Sequence, residues 1–93
     1  MHHNRWVRIL GDGCIYKGSC QVYAIILQVD AVNDVALIYD GIDAVSGKLF
    51  CELATSVDIT RELCLHEGVS FEAGIYIDAT DEAVATTVVF EPG

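Results

Sequence analysis

Cys64 and His66 are the residues whose types and spacing come nearest to a reactive pair. Two positions apart on an extended chain, they share one side of a strand, where an imidazole could take a proton from a thiol. Nucleophilic catalysis also needs a group that orients the base. Nothing accompanies this pair in that role, and a His66-Glu67-Gly68 stretch reads more simply as a solvated turn. Carboxylates occur as Asp40 with Asp43, Asp58 with Glu62 and Asp81 with Glu82. General acid–base work needs two carboxyls held at a set distance across a cleft, and nothing in the sequence marks such a cleft. Gly11-Asp12-Gly13 lacks the lysine and helix start of a phosphate loop. His2-His3, at the start of the chain, are an incidental chelating pair. The four cysteines, Cys14, Cys20, Cys51 and Cys64, contain no C-x-x-C spacing, so a zinc ribbon or thioredoxin-like site has no basis. Cys20 and Cys51 lie in apolar runs, where a free thiol behaves as a small hydrophobe; both are expected to be buried and unbridged. No catalytic residue, cofactor or metal set is assigned, and the chain reads as a non-enzymatic protein.

With no chemistry to position, the composition must be explained by packing. Ninety-three residues make one domain, residues 1–93. The net charge of −9, from 14 acids against five bases, repels phosphate backbones and argues against a nucleic-acid partner. Apolar residues are 53% of the chain, a high share for a domain too small to enclose a large interior. The longest apolar run, Val22–Leu27, is far shorter than the roughly 20 residues of a membrane-crossing helix. No signal-peptide pattern is visible, because Arg8, Gly11, Asp12 and Gly13 interrupt any apolar stretch after the basic start. The expected partner is therefore protein rather than membrane, a second copy or a larger assembly.

Two-residue alternation dominates the chain. In Val69–Asp78 the odd positions are all apolar, and Val57–Leu65 alternates with Arg61 as the single interruption, a place for a bulge. Cys20–Val29 and Ala83–Phe90 are apolar on both faces and rich in β-branched residues, as central strands are. Val35–Tyr39 and Lys48–Leu53 add two more strands. Trp6–Leu10 and Cys14–Tyr16 form an expected leading hairpin around Asp12-Gly13. Turn chemistry recurs at Lys17-Gly18-Ser19, Asn33-Asp34, Asp40-Gly41, Ser46-Gly47 and Glu67-Gly68. Only Ile42–Val45 could hold a single helical turn. The pattern predicts an all-β fold, an antiparallel β-sandwich or small barrel of jelly-roll-like type with seven to eight short strands.

The doubly apolar run Cys20–Val29 sets Val22, Ala24 and Ile26 on one side and Tyr23, Ile25, Leu27 and Val29 on the other. A sandwich core takes only one set. The expectation is that Tyr23, Ile25, Leu27 and Val29 form the interface with another chain in a homo-oligomer.

Two resemblances bear on role. The stretch Ile38-Tyr39-Asp40-Gly41-x-Asp43-Ala44-x-Ser46-Gly47-Lys48-Leu49-Phe50, followed by Gly68-Val69-x-Phe71-x-x-Gly74-Ile75-Tyr76-Ile77-Asp78, resembles small β-sandwich proteins encoded by bacteriophages and prophages. The likeness runs from Asn33 to the end. It implies a virion component associated with capsid, head decoration or tail, located in the virion or the host cytoplasm. Asp34–Gly41 with Leu49 and Cys51 is similar to the middle of CUB domains, some of which bind calcium through loop acids. That local likeness implies Asp40 as a calcium ligand with Asp78 as companion. The alternative function, read from the residues, is a binding module for a glycan or calcium-dependent ligand, using aromatics such as Trp6, Tyr16, Tyr23, Tyr39 or Tyr76 or the acids around Asp40. Against the likeness, CUB domains are secreted and disulfide-bonded.

Overall fold

The apolar runs bounded by turn residues become eight strands in a computed structural model that describes residues 5–28, 35–54, 60–79 and 84–93. They are β1 (Arg5–Leu10), β2 (Gly13–Lys17), β3 (Cys20–Gln28), β4 (Val35–Asp40), β5 (Lys48–Ala54), β6 (Thr60–Phe71), β7 (Gly74–Ala79) and β8 (Ala85–Pro92). Strand accounts for 79% of the described residues, and no helix occurs among them. The expected helical turn at Ile42–Val45 is a single α-turn closed by the Gly47 N–H on the Asp43 carbonyl.

Two four-stranded sheets pack face to face, with strand orders β1-β8-β3-β6 and β2-β7-β4-β5, every pairing antiparallel. Only β4 and β5 are consecutive neighbours in one sheet. Every other connection between consecutive strands passes from one sheet to the other, which is jelly-roll order. This corrects the leading hairpin. The Gly11–Asp12 corner carries β1 into a different sheet from β2, fixed by the Gly11 N–H on the Val84 carbonyl and by Asp12 Oδ1 accepting from Ala79 N–H at 2.7 Å.

The core lies between the layers. Val22, Ile25, Leu27, Val88 and Phe90 enter from the first sheet, Ala36, Ile38, Ile75 and Ile77 from the second. Tyr16 leans on Phe90, ring centroids 5.2 Å apart, and Phe50 meets Phe71 edge-on at 5.0 Å. Thr86 sits among these apolar groups, fully buried, with no hydrogen-bond partner for its hydroxyl among the described residues. The slab measures 37 × 30 × 17 Å and presents two broad outer faces.

Bulges set the phase of three strands. Ile15 is extra in β2 against β7, Tyr23 in β3 against β8, and Phe50 in β5 against β4. An extra residue flips the alternation beyond it. Cys20 and Val22 therefore face the core before Tyr23, and Ile25 and Leu27 face it after. Opposite Tyr23, β6 spends four residues, Leu65–Gly68, between the partners of Val22 and Ala24. The stretch expected to be a turn is thus a wide bulge inside one long strand, and Arg61, the expected bulge site, pairs regularly with Leu27. Gly68 has φ 82° there, and a Cβ would come within 2.8 Å of the Tyr23 ring, so both conformation and space select glycine.

Candidate functional site

The bulge at Tyr23 decides which residues the first sheet offers to a partner. Ile25 and Leu27 are fully buried in the chain's own core, so they are not interface residues. Tyr23 is half-buried beside the bulge, and Val29 lies outside the described residues. The outward set on β3 is instead Ala24, Ile26 and Gln28. The register aligns it with the neighbouring strands: Trp6, Val89, Ala24 and Cys64 form one row across all four strands, and Arg8, Thr87, Ile26 and Glu62 the next. Leu10 projects from the same edge strand on the same side as Trp6 and Arg8. Trp6 is 69% exposed and Leu10 61%. The sequence pattern carries little sign of this face, because Trp6–Leu10 reads as a hairpin arm and Ile26 as core.

The outer face of the second sheet is aromatic and acidic. Cys14, Tyr76, Tyr39 and Leu49 form a row across its four strands, and the Tyr39 and Tyr76 rings lie 6.4 Å apart. Asp78 stands two residues from Tyr76 on the same side, and Asp12 and Asp43 flank the row from the turns. Partial removal from water, followed by the negative field of Asp12, Asp78 and Asp43 and the Cys14 thiol, raises the Tyr76 phenol above its ordinary value. Asp43 is held below the usual carboxylate value by the backbone N–H and then the hydroxyl of Ser46, both 2.7 Å from its Oδ1. Ile42, Val45 and Leu49 are exposed on and beside this face. All five of the large exposed hydrophobic side chains among the described residues therefore belong to the Trp6 face or to the edge and turn of the Tyr39–Tyr76 face.

The structure does not bring Asp40 and Asp78 together. Asp40 pairs in register with Ile75 and turns to the β6–β7 corner, where its carboxylate accepts from Glu72 N–H (3.0 and 3.1 Å) and Ala73 N–H (2.9 Å). Asp78 pairs with Leu37 on the outer face. Asp40 works as a clamp on the corner that sends the chain across the sandwich. Among the described residues no group of three His, Cys, Asp or Glu side chains converges as a metal site. A cavity of about 160 Å³ opens beside the clamp, lined by Asp40, Lys48, Leu49, Phe50, Ser70 and Phe71. That is below the roughly 300 Å³ at which pockets begin to hold organic ligands.

Cys64 and His66 are both exposed on β6. The Cys64 thiol donates to Glu62 Oε1 at 3.1 Å, and that hydrogen bond, with lesser help from desolvation and the carboxylate's charge, raises its pKa. An activated nucleophile needs the opposite shift. Cys14, Cys20, Cys51 and Cys64 are all free; Cys20 is buried, as expected, whereas Cys51 is only half-buried. Burial first, and then the charge of Asp40, pushes the Cys20 thiol up to about 11.

Comparison of this chain with family models, curated proteins and solved structures returned no match.

Proposed function

We infer that this protein is a non-enzymatic assembly unit, a jelly-roll block that functions by packing against copies of itself, of the kind from which phage capsids, head decorations or tails are built. The observation that carries this reading is the outer face of the first sheet. There an edge strand holds Trp6 and Leu10 mostly in water, on the same side of the sheet as Val89, Ala24 and Ile26. Tryptophan is the side chain most enriched at the centre of protein interfaces, and exposed apolar area of this kind marks a contact surface. A standard interface takes about 800 Å² from each partner, and a 37 × 30 Å face has room for it. The resemblance to phage proteins and the use of jelly rolls in viral shells point the same way, as analogy, because a fold does not fix a function.

The test is the mass of the native chain and of a Trp6→Glu/Leu10→Glu variant by light scattering at micromolar concentration. Both substituted side chains are exposed, so the variant keeps its β-type circular dichroism. The native chain is expected to be a multimer and the variant a monomer. A multimer unaffected by the two changes places the contact elsewhere and removes this reading of the face.

A further inference from the structure

Arg8 and Glu62 stand at opposite ends of one cross-strand row, Arg8–Thr87–Ile26–Glu62, on the outer face of the first sheet. Their strands, β1 and β6, are the two edges of that sheet, so three strand spacings, about 14 Å, separate the charges. That is beyond ion-pair reach and longer than the Debye length of about 8 Å at physiological salt. Arg8 and Glu62 of one chain therefore cannot neutralise each other. The row on one side of them, Trp6–Val89–Ala24–Cys64, holds no charge, and neither does the row on the other side, Leu10–Ala85–Gln28–Thr60.

An isologous contact needs a surface complementary to itself under a two-fold rotation. This face meets that requirement about an axis parallel to the strands, running between the central pair β8 and β3. Rotation about that axis exchanges β1 with β6 and β8 with β3 while keeping each row over itself. Arg8 of one copy then lies over Glu62 of the other, and the same pair forms twice. Trp6 falls on the partner's Cys64, an aromatic ring on sulfur. Val89 meets Ala24, Thr87 meets Ile26, and Glu91 meets Gln21, which is its own neighbour in register within the chain. The Tyr39–Tyr76 face offers no such match, because Asp12, Asp43 and Asp78 beside its aromatic pair answer Arg8 and oppose Glu62.

We propose that two copies of this chain pair through their first sheets about this two-fold axis, with Arg8 of each on Glu62 of the other. Val89, Ala24 and Ile26 form the centre of the contact, and Trp6 of each copy closes over the partner's edge strand. This proposal rests on the reading of the chain as a self-assembling unit and names the contacts of its surface. The strands of the facing sheets stay aligned, as in one of the two common sheet packings. Such a pair is closed, so any larger assembly uses other surfaces.

The test is charge reversal, sized by light scattering over a concentration series with circular dichroism as the check on folding. Arg8→Glu and Glu62→Arg are measured singly, as an equal mixture, and together in one chain. The native chain is expected at twice 10.1 kDa. Each single variant sets like charge against like at both pairs and should associate at least roughly 10-fold more weakly. The mixture and the double variant restore opposite charges at both pairs and should associate like the native chain. If Glu62→Arg does not weaken association, or the double variant stays as weak as Arg8→Glu, the two-fold arrangement fails and self-assembly stands. Two single variants that both associate like the native chain have the same consequence. A monomeric native chain removes both. If a reversal loses its β signal, Arg8→Ala and Glu62→Ala replace the pair. Each then removes both contacts, so each should weaken association and the double variant no further. Losses that add overturn the proposal.

Discussion

Ile25 and Ile26 are adjacent, chemically identical and placed by the Tyr23 bulge on opposite sides of one strand. Lysine at each should give opposite phenotypes. Ile25 is fully buried between Leu63 and Val88 in a central strand. Losing its packing costs about 3 kcal/mol. A lysine there cannot reach water, and holding it neutral at pH 7 costs about 4–5 kcal/mol against its ordinary pKa near 10.4. The sum of about 8 kcal/mol lies within the total stability of a domain this size, about 5–14 kcal/mol. Ile25→Lys is therefore expected to be unfolded or nearly so at 25 °C. Ile26→Lys points outward between Thr87 and Glu62, where the ammonium gains a cross-strand carboxylate. Its cost should stay under about 1.5 kcal/mol, while charge enters the assembly face. Far-UV circular dichroism with urea titration measures the first effect and light scattering the second. A folded, dissociated Ile25→Lys beside an unfolded Ile26→Lys would refute the bulge phase and return the face to Tyr23, Ile25 and Leu27.

Thr86→Val removes a buried hydroxyl with no partner among the described residues and keeps nearly the same shape. Thermal unfolding should show a gain of about 1–2 kcal/mol, and a loss would mean that the hydroxyl is satisfied. Asp40→Ala takes the acceptor from two corner N–H groups; it should cost about 2–3 kcal/mol, with hydrogen exchange at Glu72 and Ala73 rising first. The Cys20 thiol is raised to about 11 in the folded protein from 9.0. Its contribution to stability is complete below pH 9 and is lost as the pH rises from 9 towards 11, because the unfolded chain releases the proton first. A Cys20→Ala variant should flatten that alkaline fall in urea titrations, and an unchanged slope would assign it elsewhere.

Strand content and core parity were legible in the sequence. Val69, Phe71, Ile75 and Ile77 alternate as one strand would, and all four pack in or against the core. Yet they belong to two strands in two sheets, joined by a corner at Glu72–Ala73. Alternation records which side chains face inward and is blind to the sheet that holds them, so the crossings of the jelly roll were hidden. The bulges at Ile15, Tyr23 and Phe50 were hidden for a related reason. A run apolar on both faces, such as Val22–Leu27, carries no mark where its phase changes. The candidate face followed from that error: once Tyr23 is out of phase, Ile26 joins Trp6 on the surface and Ile25 leaves it. The Asp40 clamp had no sequence signal, since its amide partners lie 32 and 33 residues away.

The central claim is that the exposed apolar faces of this jelly roll exist to meet another copy. The most direct measurement is the mass of the native chain by size exclusion with light scattering, from about 1 to about 100 μM, the range in which interfaces of standard size associate. The account predicts a multimer whose mass is a multiple of 10.1 kDa. A single species of 10.1 kDa across the whole range would contradict it.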